Sequence, residues 1–268
     1  MSIRNEVTQM KETAPLLASS KEEIRNEALR RIIEALKSRK EEIFEANRKD
    51  REAARRDHIA PAVMKRLLFD EEKLESLVTG LEQLIRLPDP VGHITLARKL
   101  DTHLKLYRVT CPIGVIGIIF EARPDALVQI SALCIKSANC AILKGGKETK
   151  ETNRILFSLI HEAAVSAGLP EKAWLQAEQH SEIDELLQCD GLVDLLIPRG
   201  SNEFVRYIMD HTKIPVMGHA EGICHIYADK ACDKEKAIPV IIDAKTQYPA
   251  ACNAVETLLV HRDIAGEL

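Results

Sequence analysis

Aromatic residues are scarce in this 268-residue chain, 4% of the total with a single Trp. No run of Lys and Arg is interleaved with them, which argues against a base-stacking platform for nucleic acid. Cysteine forms no pattern: the seven stand at 111, 134, 140, 189, 224, 232 and 252, an odd set without a CxxC pair. That argues against a disulfide framework and a zinc ribbon, and fits reduced thiols in the cytoplasm. Cys224 and His225 are neighbours in an apolar run, where alternation sends them to opposite faces, so no metal is expected. No apolar stretch approaches a membrane span. The first twenty residues carry Glu6 and Glu12 and lack the apolar centre of a signal peptide.

What is present, 46% hydrophobic and 29% charged residues with a net charge of -4, describes a globular chain able to bury a large core. A small molecule is the expected partner. From residue 1 to about 87 the pattern is helical: Ile24, Ala28, Ile32, Ala35 and Ile43 recur near helical spacing between charges. The mixed-sign run RKDREAARRD reads as a solvated helix face. Pro88 and Pro90 end that texture. Beyond them, short apolar runs are followed by Gly or Pro and then by amphipathic segments, the sign of β/α alternation. Strands are expected over 115–120, 141–144, 192–197 and 223–228, with a shorter one around AWLQA. Helices are expected near 125–138, 149–167, 182–189 and 202–211. Nearly continuous apolarity in VIGIIF and LVDLLI suits parallel strands covered on both faces. The fold class is therefore α/β: an open twisted sheet of Rossmann type with helices on both faces, preceded by N-terminal helices.

Three loops invite a ligand, since open α/β sheets bind beyond the carboxyl ends of their strands. KGGKET (144–149) leaves a strand and enters a helix, and its glycines would let a phosphate approach the backbone; taken alone, the plainer reading is a helix-entry turn with two exposed lysines. IPRGSNEF (197–204) repeats the arrangement, with Ser201 or Asn202 as a cap and neighbouring N–H groups open to an anion, or with capping alone. In FEARPD, Pro124 biases Arg123 toward an extended conformation and suits the first helical turn, so Arg123 points off the sheet edge or pairs with Asp125. Near the C-terminal end, YPAACNAVETLLVH sets Cys252 among small residues, as a buried spacer or as a nucleophile.

PIGVIGIIFEARPD, ILKGGKET, DLLIPRGS, IPVMGHAEGICHIYAD and YPAACNAVETLLVHRD, in this order, resemble the gamma-glutamyl phosphate reductase (glutamate-5-semialdehyde dehydrogenase) family of the aldehyde dehydrogenase superfamily. The reductase half of pyrroline-5-carboxylate synthase is similar too. The resemblance implies NADPH-dependent reduction of L-glutamate 5-phosphate to L-glutamate 5-semialdehyde and phosphate, in proline biosynthesis, with glutamate 5-kinase as functional partner. By position, Cys252 matches the nucleophile, with Asn253 beside it and Arg123 where relatives hold an oxyanion-binding asparagine. Glu121, Ala122, Lys144, Gly145, Gly146, Lys147, Arg199, Gly200 and Ser201 match the cofactor-binding loops. Lys147 stands where many NAD-using relatives place an acid, so the resemblance favours NADPH over NADH. Gly218 replaces the water-activating glutamate of hydrolytic relatives, consistent with a thioester kept from water. The implied organisation is an NADP-binding domain over 1–250, with its helical part at 1–87 and its β/α part at 100–250. The start of a truncated catalytic domain follows at 251–268, and the full-length protein is expected to be a homo-oligomer. A CoA-acylating aldehyde dehydrogenase, or a nucleotide-binding fragment without turnover, are the competing expectations.

Overall fold

The computed structural model describes residues 3–179, 181–218, 222–249 and 253–267. Two compact units result, Met1–Gly218 and His219–Leu268. The first opens with α1 (Ile3–Ala18), α2 (Glu22–Ser38), α3 (Lys40–Arg56), α4 (Pro61–Leu67) and α5 (Glu71–Arg86). Their inward faces follow the sequence periodicity: Ala28, Leu29, Ile32 and Leu36 of α2 are each at most 1% exposed. Asp70 starts α5 by accepting from Lys73 N at 3.1 Å.

An antiparallel hairpin follows, β1 (Ile94–Asp101) and β2 (Leu104–Val109), with Ile94 opposite Val109 and Arg98 opposite Leu106. It was not foreseen, because its apolar residues alternate with charges and form none of the unbroken apolar runs that mark the buried strands. Then come β3 (Val115–Ile119), α6 (Pro124–Lys136), β4 (Cys140–Lys144), α7 (Lys150–Ser166), β5 (Trp174–Ala177), α8 (Ser181–Leu187), β6 (Leu195–Pro198) and α9 (Asn202–Asp210). The four strands form one parallel sheet in the order β5-β4-β3-β6. Every residue of β3 and β4 is buried. Ile116 and Ile118 share a groove with Ile130 and Cys134 of α6, while Gly117 lies against Leu186 of α8. Helices thus cover both faces, and that double cover is why β3 reads as an unbroken apolar run.

Most strand ends fall within one residue of expectation, and two strands depart from it further. The sixth strand begins at Leu195 rather than at 192, because Leu192 N and Val193 N turn back onto Cys189 O. Asp194 is spent on cross-ties: its carboxylate accepts from Val115 N at 2.8 Å and pairs with Lys11 at 2.6 Å. The strand expected over 223–228 lies in the second unit as β7 (Cys224–Ala228), and it pairs in parallel with β8 (Val255–Val260) instead of joining the four-stranded sheet. Between them runs α10 (Lys234–Thr246), unforeseen because Pro239 sits inside it. Asp233 supplies its cap, accepting from Lys236 N. No helix among the described residues is long and apolar enough to cross a membrane.

Candidate functional site

The carboxyl edge of the first unit's sheet brings three turns together. Phe120 N donates to Lys144 O at 2.9 Å and Arg199 N to Ile119 O at 2.8 Å, so the chains leaving β3, β4 and β6 start side by side. Lys144 ends β4, and Glu121, Ala122, Arg123, Gly145, Gly146, Lys147, Arg199, Gly200 and Ser201 lie on the segments that follow the three strands. Asn253 is an exposed turn residue ahead of β8 in the second unit, and Cys252 lies outside the described residues.

The turn after β3 is the unusual one. Ala122 has a left-handed φ of 36° although it carries a side chain, and it is 6% exposed, packed with Ala54 and Leu67 of the N-terminal helices. A non-glycine residue held in that region stores about 1 kcal/mol or more and marks a position the surroundings over-determine. Arg123 is extended, as its place before Pro124 requires, and is exposed. Asp125 has Lys73 as its nearest cation, at 3.8 Å. Among the described residues Arg123 forms no ion pair, so its guanidinium is available to an anion.

In the turn after β4, part of the α7 N-terminus is already occupied. Asp50, from α3, already caps that helix: its carboxylate accepts from Glu151 N at 3.0 Å, Thr152 N at 2.8 Å and Thr152 Oγ1 at 2.6 Å. Asp50 belongs to the run RKDREAARRD taken as a solvated face, yet it is 6% exposed. Burial pushes its carboxyl above the usual range, against the hydrogen bonds from Thr152 and Glu151. The two glycines also serve the protein itself. A Cβ at Gly145 would collide with Asn153 Nδ2, and one at Gly146 with the Glu148 carboxylate. Lys144, 7% exposed, donates to Gly145 O at 2.7 Å, and burial holds its ammonium below the usual lysine value although Glu182, Glu148 and Glu178 lie nearby. Asn153 Oδ1 is buried with no hydrogen-bond partner among the described residues. Lys147 is exposed.

The turn after β6 is simpler. Ser201 Oγ accepts from Phe204 N at 3.2 Å and caps α9, while Gly200 lets Glu121 lean in, a Cβ there lying 2.9 Å from Glu121 Oε1. Capping by the turn's own side chain occupies one of the first amides of α9 and agrees with the expectation for Ser201. Gly218 backs onto α9, where a Cβ would stand 3.0 Å from Val205 Cγ1. Beyond β5, Glu178 takes a two-pronged ion pair from Arg154, at 2.9 and 2.8 Å. Sequence reading missed Asp50, Glu148, Asn153 and this pair, since no local pattern says which side chain meets a group of another element. Among the other cysteines, burial pushes Cys134 and Cys140 up to about 12, so neither is a thiolate near neutral pH.

Turns from adjacent parallel strands, with a buried lysine and, among the described residues, a guanidinium without an ion pair, stand at the sheet edge where open α/β folds hold nucleotides. The Aldehyde dehydrogenase family model matches residues 1–268. The chain belongs to the aldehyde dehydrogenase family. Within that family it is 54% identical, over 94% of its own length, to the gamma-glutamyl phosphate reductase of Ruminiclostridium cellulolyticum, of which it covers 58%. The crystal structure of gamma-glutamyl phosphate reductase from Thermotoga maritima superposes with a TM-score of 0.93 at 35% identity, over 98% of this chain and 64% of that one. The enzyme of the same name from Saccharomyces cerevisiae gives 0.77 at 40% identity, over 99% and 67%. The chain spans about three fifths of the length of the curated relatives it matches.

Proposed function

We propose that the protein carrying this sequence reduces L-glutamate 5-phosphate to L-glutamate 5-semialdehyde and phosphate, the reductive step toward proline, and takes NADPH as reductant. The observation that supports this most is 54% identity to a gamma-glutamyl phosphate reductase across nearly the whole chain. In this reading residues 1–250 form the cofactor domain and 251–268 open the catalytic one. The Cys252 thiolate attacks the acyl carbon, and the carbon–oxygen bond to phosphate breaks, leaving a thioester on sulfur. NADPH, when bound, supplies the hydride that reduces it. The resulting thiohemiacetal loses its carbon–sulfur bond, releasing the aldehyde and regenerating the thiolate. The family resemblance assigns Arg123 to holding the acyl phosphate or the oxyanion.

The crevice fits a nucleotide. Lys144 has one acceptor among the described residues, leaving N–H donors for ribose hydroxyls, and Lys147 adds an exposed cation where a 2′-phosphate would be recognised. Three carboxylates, Glu148, Glu178 and Glu182, temper that charge at Lys144. The test is oxidation of glutamate-5-semialdehyde with NADP+ and phosphate. Phosphate-dependent NADPH formation that falls at least about a thousandfold in Cys252→Ser supports the reading. Activity that requires CoA instead of phosphate would replace it with an acylating dehydrogenase, and nucleotide binding without turnover would reduce it to a binding module.

A further inference from the structure

We infer that Glu148 is a positioning residue of the cofactor crevice: its side chain substitutes for a missing strand acceptor and fixes the left-handed turn at Ala122. The register of the sheet shows the gap it fills. Ile119 is level with Lys144, and the ladder extends one bond further as Phe120 N reaches Lys144 O. Were both strands to continue, the next donor on that edge, Ala122 N, would meet Gly146 O. The chain turns away after Lys144, and Gly146 O accepts from Thr149 N and Thr149 Oγ1 instead. Ala122 N, in a residue that is itself buried, would be left without an acceptor, an arrangement folded proteins avoid. Glu148 returns from the first turn after the glycines and accepts that proton at 2.9 Å. Its path crosses the space of a Cβ at Gly146, which explains why a residue without one stands there.

The consequence concerns function because of what this turn carries. Glu121 and Arg123 flank Ala122, the first leaning on Gly200 and the second free at the rim among the described residues. The Glu148 bond therefore ties the turn after β3 to the turn after β4 and, through Glu121, sets it against the turn after β6. The inference rests on the reading of this crevice as a nucleotide site, and goes beyond it by assigning a residue that never touches the ligand.

Amide hydrogen exchange at Ala122 and NADPH titration, on the chain itself and on Glu148→Ala and Glu148→Gln, test the two halves separately. Glutamine keeps a carbonyl acceptor, so it rescues, whereas alanine does not. The expected result is a protected Ala122 amide and tight binding in wild type and Glu148→Gln. In Glu148→Ala the amide exchanges faster and NADPH binds about tenfold more weakly, the scale of one charge-assisted hydrogen bond. An unchanged melting temperature identifies the loss as local. Equal protection in Glu148→Ala overturns the tie. Lost protection with unchanged NADPH affinity overturns the positioning role. A wild-type chain that does not bind NADPH removes the nucleotide reading itself, and the role with it, an outcome distinct from both.

Discussion

The turns after β4 and β6 look alike as sequence, each a strand followed by Gly, small or charged residues and a helix start, yet the structure builds them differently. After β6 the turn is self-sufficient, since Ser201 caps α9 from within. After β4 the helix start is capped from a distance by Asp50, a hundred residues earlier in the chain, and the glycines make room for Asn153 and Glu148. A glycine-rich entry to a helix is therefore an anion site only after its amides have been accounted for, because a carboxylate of the protein can already hold them.

That contrast can be broken by mutation, beginning with the cap from afar. Asp50→Ala strands two backbone amides and the Thr152 hydroxyl in the interior, and urea denaturation should show a loss of about 3 kcal/mol. Lys144→Met comes next and with opposite sign. Its ammonium is held below the usual lysine value by burial, so the stability linked to this group is present above the unfolded pKa and lost as pH falls through the folded one. At neutral pH the charged lysine is thus a burden; the substitution should raise stability by about 1 kcal/mol while weakening NADPH binding in a titration. Ser201→Ala removes only a local cap, and about 1 kcal/mol or less should be lost in the same denaturation assay.

The smallest effect sharpens the comparison by pH. Asp50 has a raised folded pKa, so its contribution is full below the unfolded value near 4 and declines as pH rises through the folded one, whereas Ser201 does not titrate. The stability advantage of wild type over Asp50→Asn should accordingly be larger at pH 4 than at pH 7, while that over Ser201→Ala stays level. Urea midpoints at the two pH values check both. A flat Asp50 difference would mean that the three hydrogen bonds cancel the effect of burial, and a reversed one that they outweigh it.

Much of this site was legible because its parts are local. Pro124 dictates an extended Arg123 within two residues, and Ser201 finds its amide three residues away. The buried strands announced themselves through unbroken apolarity. Asp50 and Glu148 did not, since nothing in RKDREAARRD or KGGKET says which charged side chain meets an amide of another element. The hairpin β1–β2 and α10 escaped for another reason: Ile94, Leu106, Val240 and Ile242 are apolar but more than 45% exposed, so the burial that normally reveals a pattern is absent, and Pro239 counterfeits a helix end.

The sequence alone determined the family, the parallel β/α sheet and the segments that form its crevice, because periodicity and ordered motifs are properties of contiguous residues. Tertiary structure decided which donors and acceptors around those turns are already paired: Asp50 on α7 and Glu148 on Ala122. Hydrogen bonding is satisfied by whatever group lies within about 3 Å, and distance along the chain says nothing of that distance in space.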